Sequence, residues 1–312
     1  MKRTLRLILV FLLAAILLAC PSCAEENGSK REGLTVSFLS VGQGDAILIT
    51  LPEGNLLIDG GGDASFAASF AEELERAGVD ALDCLIITHP ERDHVAYLPA
   101  LLEEIPVRRA FLPYIEEGFF PLFDETARLA REKGCAVEYT ELYDSFAIGG
   151  ARFVALSPAP VSDPNGEYAA FDGAAGDSAN DLSAVFYLEY EGTRFLLTGD
   201  ASSAVEKNVM RRYEAGLYAA FGVNLEEIDV LKVSHHGSDA ATSAEFLSLL
   251  APDCAVISVG AANAYGHPAE DTLGRLYRSG AAIYRTDFFG TVRCRVRAGK
   301  SLEITSQATE NV

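Results

Sequence analysis

The stretch Thr88-His89-Pro90-Glu91-Arg92-Asp93-His94 closes the apolar run Cys84-Leu85-Ile86-Ile87. A short apolar run stopped by polar and turn-forming residues is the pattern of a buried strand. Ending it in histidines and carboxylates puts metal-binding and acid–base groups on a strand-end loop, where a rigid scaffold holds them. The pattern recurs. Phe195-Leu196-Leu197-Thr198-Gly199-Asp200 ends an apolar run in a carboxylate, and Val230-Leu231-Lys232-Val233-Ser234-His235-His236 ends one in a histidine pair. The chain holds 5 histidines, His89, His94, His235, His236 and His267, all within the strings HPERDH, SHHGS and YGHP. Histidines used only for packing or solvation have no reason to gather so. Imidazole and carboxylate together are donors for zinc or manganese that leave positions open for water.

The remaining chain supplies a scaffold for these strings. LTVSFLS (34–40) and DAILITL (45–51) read as strands joined by the turn VGQG, and LLIDGGGD follows a second turn at Glu53-Gly54-Asn55. Spacing predicts helices over 66–77, 94–104 and 120–133, the last stopped by Gly134. RAFLP, AVEYT and ARFVALSP are further strands. Residues 158–180, rich in Pro, Gly, Ala, Asp and Ser, read as a loop near the middle of the chain. A second series follows: strands SAVFYLEY, TRFLLTGD, DVLKVSHH, CAVISVG, AAIYRTD and TVRCRV, with helices near 202–214, 242–250 and 269–278. Both halves mix hairpin-like pairs with strand–helix alternation. That predicts two mixed sheets with helices outside, an αβ/βα sandwich. No repeat of fixed period is present.

The chain has 312 residues, 49% of them hydrophobic, which supports a sizeable core and excludes general disorder. Its formal net charge is −20. Lys2, Arg3 and Arg6 precede the apolar stretch Leu7–Leu18, the layout of an export signal too short to span a bilayer comfortably. Without those three cations, a chain beginning at Cys20 carries 22 positive and 45 negative side chains, or −23. Such a field repels polyanions unless a local cation overrides it. Arg108-Arg109 and Arg211-Arg212 read as solvated surface charges rather than a nucleic-acid track. Cys84, Cys135, Cys254 and Cys294 show no metal-type spacing, and no disulfide among them follows from the sequence.

HPERDH resembles the HxHxDH string of the metallo-β-lactamase superfamily. The ordered set VGQGDA, LLIDGG, THPERDH, NDLS, LLTGD, HHGS and YGHP resembles one branch of it, the soluble domain of the ComEC/Rec2 DNA-internalisation proteins. The resemblance implies the metallo-β-lactamase αβ/βα sandwich and one or two divalent ions, zinc or manganese. It implies His89, Asp93, His94, Asp200 and His235 as metal ligands, Asp200 bridging two ions. Asp93 or Asp200 would orient the attacking water, and His267 would act near the scissile group or anchor its loop by a hydrogen bond. Asp59 corresponds to a carboxylate that orients ligands from behind; Asp45, with Gln43, is placed at the rim or in a glycine turn. Single-stranded DNA or another phosphodiester is the implied substrate. The long membrane channel of those proteins has no counterpart here, so DNA transport does not follow.

The departures shape the expectation. Glu91 stands where the string has its second histidine, and none occurs between His94 and His235. The first site keeps His89 and Asp200, to be completed by Glu91, Asn180 or Asp181; the second, Asp93, His94, Asp200 and His235, is intact. One tight and one loose ion are expected. His236 either touches substrate or packs beside its neighbour, and Ser238 and Asn263 are candidate substrate contacts. Other extracellular esters, such as a cell-wall phosphodiester or a lactone, and a binding protein without turnover stay open. Leu17-Leu18-Ala19-Cys20 resembles a bacterial lipobox, which implies cleavage before Cys20, lipid on its thiol and anchoring outside the cytoplasm; free secretion is the alternative. The expected organisation is a signal peptide at 1–19, a polar tether at 20–33, the hydrolase domain at 34–303 and a tail at 304–312. Oligomeric state is open.

Overall fold

The structure is a computed structural model that describes residues 31–158 and 179–310. The signal segment, Cys20 and most of the expected central loop lie outside the described residues. One sheet runs β15-β14-β1-β2-β3-β4-β5-β6. Its strands are β1 (Leu34–Phe38), β2 (Ile47–Leu51), β3 (Gly54–Ile58), β4 (Cys84–Ile86), β5 (Arg109–Leu112), β6 (Ala136–Tyr139), β14 (Val292–Val296) and β15 (Glu303–Ser306). The other runs β13-β12-β11-β10-β9-β8-β7. It holds β7 (Ser145–Ile148), β8 (Ala151–Ser157), β9 (Val185–Tyr190), β10 (Thr193–Leu197), β11 (Val230–Lys232), β12 (Cys254–Ile257) and β13 (Ala282–Arg285).

Period-two alternation sorts the side chains into layers. Ile47, Ile49 and Ile58 of the first sheet share a core with Phe153, Phe186, Phe195, Val230 and Val256 of the second. Leu48 and Leu57 point the other way, against Phe70, Leu98, Leu101 and Phe123 on the outer helices. Leu196, Leu231 and Ala255 do the same against Val209, Phe246 and Leu276. The result is the expected sandwich: helices, sheet, sheet, helices. At about 1.5–3 kcal/mol for each fully buried large aliphatic or aromatic side chain, these three apolar layers dominate the folding free energy.

β3 to β6 pair in parallel, as do β10 to β13. Ligand sites in such sheets form beyond the carboxyl ends of parallel strands. Asp59 and Thr88-His89 follow β3 and β4; Asp200, His235-His236 and Ser258 follow β10, β11 and β12.

The elements differ from expectation in a few places. β7 was not anticipated. The helix expected over 94–104 is two, Arg92–Val95 and Leu98–Glu104, because the Tyr97 amide donates to the Gly60 carbonyl at 2.7 Å instead of continuing the turn. The expected boundary at 303 falls where β15 begins; residues 303–306 pair with β14, so the sheet runs into the segment read as a tail. Arg212 is buried, unlike Arg211. It shares a helical stripe with Val205 and Val209, so position on the helix, not charge, sets its environment. Arg109 is half-buried, its guanidinium 4.8 Å from the rings of Phe111 and Phe146. Cys84, Cys135, Cys254 and Cys294 are buried free thiols. Among the described residues no helix is long and apolar enough to cross a membrane.

Candidate metal centre

The centre is anchored by Asp59, which adopts φ +57 at the end of β3, a left-handed conformation Asp tolerates better than most residues. Its Oδ1 accepts from the Thr88 amide at 2.8 Å, and its Oδ2 accepts from the Thr88 hydroxyl at 2.7 Å. His94 Nδ1 lies 2.8 Å from the same Oδ2. The Thr88 hydroxyl, having donated to Asp59, can accept from His89 Nδ1 at 3.1 Å. One carboxylate therefore sets the orientation of two rings, and both turn Nε2 to the interior. The glycines after Asp59 hold the loop that carries Asp93 and His94. A Cβ on Gly61 would lie 2.1 Å from the Asp93 carbonyl carbon, so only glycine allows this approach. The Gly60 amide donates to the His94 carbonyl at 2.8 Å and the Asp45 amide to the Asp93 carbonyl at 3.0 Å.

From the second sheet come Asp200 and the histidine pair. His235 (φ 48) and His236 (φ 51) are both left-handed, a rare arrangement costing about 1–3 kcal/mol for each such residue. It sends the two rings apart. His236 is buried, and its Nδ1 donates to the Ser258 carbonyl at 2.8 Å. Its Nε2 lies 3.3 Å from Asp200 Oδ2 and 3.4 Å from Asp93 Oδ2. His235 has its side chain 27% exposed and its Nε2 3.8 Å from Asp200 Oδ2. His94 Nε2 stands 3.3 Å from Asp200 Oδ1, and His89 Nε2 4.0 Å from Oδ2.

Whether these residues suit a metal ion can be tested on their hydrogen bonding. Nε2 of His89, His94 and His236 and Oδ1 of Asp200 are buried without a hydrogen-bond partner. Each such group costs about 1–3 kcal/mol if nothing compensates it. A cation is the partner that three inward imidazole nitrogens and a carboxylate share, and the outer nitrogens are already engaged, as in metal-ligating histidines. Two sets, His89-His94-Asp200 and Asp93-His94-His236, each bring their donor atoms within 4.8 Å of one another. The residues fit.

Charge in the cluster runs strongly. Burial acts to raise Asp200, but the rings of His236 and His94 outweigh it and hold the carboxyl well below its ordinary range. Burial likewise opposes protonation of His94 and His236, yet Asp200 with Asp59 lifts His94 well above the histidine range, and Asp200 with Asp93 raises His236 to about 10. A proton and a divalent ion are thus alternative partners for these Nε2 atoms. Burial and the neighbouring His94 push His89 down. Lys232, fully buried, is held above the ordinary lysine range by Asp45 and Asp200 despite burial.

Several candidates land elsewhere. His235, expected as the late ligand, is at the rim, and His236 takes the interior position. Glu91 begins the Arg92–Val95 helix and belongs to neither ligand set; burial and Asp93 raise its carboxyl. Asp181 accepts from the Ser202 hydroxyl, which itself caps the Ser203–Glu214 helix, and Asn180 sits in the same short 3-10 turn. Neither joins a ligand set. Asp45 is fully buried against Lys232, and Gln43 accepts from the Gly260 amide, so both are interior rather than rim groups. Asn263 braces the loop that presents His267, donating to the His267 carbonyl at 2.6 Å and accepting from its amide at 3.0 Å. Ser238 is buried and accepts from the Ala240 amide. His267 packs against His235, ring centroids 5.4 Å apart, and its Nδ1 is buried without a hydrogen-bond partner. Lys232 is a further member of the centre, and a lysine inside the apolar run of β11 is its only signal in the sequence.

Residues 39–261 match the family described as the metallo-beta-lactamase superfamily. ComE operon protein 3 of Bacillus subtilis is 33% identical over 281 residues, covering 84% of this chain and 33% of that protein. Competence protein ComA of Neisseria gonorrhoeae is 28% identical over 286 residues, covering 91% of this chain and 35% of its own. The chain thus spans about a third of the length of these curated relatives. The motif order pointed to this competence-protein branch. Among solved structures, CmlA, a diiron beta-hydroxylase from Streptomyces venezuelae, aligns with TM-score 0.51 at 14% identity over 85% of this chain and 55% of that one, a likeness of fold.

Proposed function

Because the chain belongs to the metallo-β-lactamase superfamily, we propose that it is an extracytoplasmic metal-dependent hydrolase of phosphodiester bonds, with single-stranded DNA as the leading substrate. The observation that carries the reading is the convergence of three unpartnered Nε2 atoms, from His89, His94 and His236, on the Asp200 carboxylate. The substrate class rests on the similarity to competence proteins.

His89, His94, His236, Asp93 and Asp200 would hold the metal. When bound, a divalent ion supplies Lewis acidity, lowering the pKa of water toward about 7 and drawing off charge that builds on a phosphoryl oxygen. Asp93, its side chain 27% exposed and its carboxyl held down by His236 and His94 against burial, stays an acceptor that orients water at the rim. His267 is lowered by burial and by His235 and His236, so it is neutral at pH 7 and can take or relay a proton at Nδ1. His235 beside it is also lowered by burial and is placed to contact substrate. The anchoring proposed for Cys20 puts this chemistry outside the cytoplasmic membrane.

The test is hydrolysis of bis(p-nitrophenyl) phosphate by metal-stripped protein with and without added manganese, then single-stranded DNA against wall polymers and lactones. Manganese-dependent turnover that prefers DNA supports the reading. Turnover that prefers a wall polymer keeps the hydrolase and replaces the substrate. No turnover with bound metal makes the chain a binding protein. Intact mass of the membrane-extracted protein tests the anchor: a diacylated Cys20 is expected, and a mature start at Glu25 overturns it.

A further inference from the structure

Lys232 ends β11 on the face that looks between the two sheets: its partner Val256 lies in the inter-sheet core, and its neighbour Leu231 in the outer one. It is completely buried, which lysine almost never is unless paired. Its Nζ lies 2.6 Å from Asp45 Oδ2, donates to the Gly199 carbonyl at 2.8 Å, and stands 3.6 Å from Asp200 Oδ1. Asp45 could otherwise serve a metal, since its oxygens lie within 4.8 Å of ligand atoms of Asp200 and His236, and of Asp59 and His94. A divalent ion bonded to Asp45 would sit beside the ammonium in a low-dielectric interior, where like charges a few ångströms apart repel strongly. The two sets without Asp45 share His94.

We propose that Lys232 is a resident cation of the centre, filling the seat that Asp45 offers, fixing Asp200 through Oδ1, and limiting the chain to one tightly held divalent ion. The inference rests on the metal-centre reading above and deepens it. Charge balance carries it further. Asp45, Asp93 and Asp200 face the centre, while Asp59 is turned to His94 Nδ1. Lys232 and one divalent ion neutralise these three carboxylates; a second ion would raise the positive charges to five against the four of Asp45, Asp59, Asp93 and Asp200. Asp200 Oδ1 faces the ammonium at 3.6 Å, and Oδ2 faces His89, His235 and His236.

Equilibrium dialysis of the full chain against manganese, read by elemental analysis, tests this. The unaltered chain is expected to retain one ion. Lys232→Met, of similar length and no charge, is expected to retain two, and the double variant Lys232→Met/Asp45→Asn to return to one. Asp45→Asn alone leaves the ammonium uncompensated, and its single ion should bind at least tenfold more weakly. Two equally tight ions on the unaltered chain overturn the proposal and leave the metal centre standing; so does a folded Lys232→Met that still holds one ion. If Lys232→Met does not fold, an unchanged affinity in folded Asp45→Asn overturns it. Failure of every form to bind an ion sinks the metal centre itself.

Discussion

The floor and the rim of the centre use the same residue types differently. On the floor, His89, His94 and His236 are buried, and each has its outer nitrogen bonded to a fixed oxygen of Thr88, Asp59 or Ser258. At the rim, His235 and His267 pack against each other, and Asp93 opens to solvent. Floor histidines have one rotamer and one tautomer in which they are satisfied; rim histidines keep freedom to meet a substrate. Adjacent residues fall on opposite sides of this divide, as His235 and His236 do, so the division lies in backbone conformation rather than residue identity.

Substitutions can break this contrast. The largest effect is expected for Asp200→Asn, which should lose both metal and turnover, because the amide cannot supply the charge that faces every floor imidazole. A folded Asp200→Asn with full metal and full rate removes Asp200 from the centre. His236→Ala should lose bound metal while His235→Ala retains it, measured as metal per chain after dialysis; the reverse result restores the assignment expected from sequence. His267→Ala should keep its metal while the rate falls about 10²–10⁴-fold, the scale of a lost proton-transfer group. Metal loss in that variant makes His267 a ligand. Asp59→Asn, which disturbs two ligands at once without touching the ion, should weaken metal affinity about 10–100-fold.

The smallest effect concerns pH. His94 and His236 have folded pKa values above the unfolded value of 6.5, His236 at about 10. Their contribution to the stability of metal-stripped protein is complete below 6.5 and is lost as pH rises toward 10. His89, His235 and His267 shift the other way and act only below 6.5, and the raised thiols of Cys84 and Cys254 act only above 9.0. The melting temperature should therefore fall between pH 6.5 and 9 when metal is absent. A rise across that window would mean the floor histidines are neutral without metal.

Much of this was legible beforehand. Apolar runs ending in His89, Asp200 and His235-His236 marked strand ends, and apolar runs bounded by turn residues marked most strands of both sheets. What stayed hidden depends on tertiary contact. The break at Tyr97 comes from Gly60, a partner distant in sequence. The exchange of His235 for His236 follows from two left-handed residues that no pattern of polarity encodes. The role of Lys232 stayed hidden because its partner Asp45 lies in another sheet's turn. Asp181 was a candidate ligand only until its hydroxyl partner Ser202 was known.

The pairing of β1 with both β2 and β14 has a consequence in time. Leu34 begins the sheet and lies opposite Val296. During synthesis, β1 to β6 emerge first, with the edge of β1 bare, and a bare edge of apolar alternation invites pairing with a wrong chain. Until residues 292–306 leave the ribosome, that edge has no native neighbour. The nascent chain therefore carries this bare edge through the whole interval between the emergence of β1 and that of β14. A holding factor that covers β1, or passage across a membrane before folding begins, would spare it that interval.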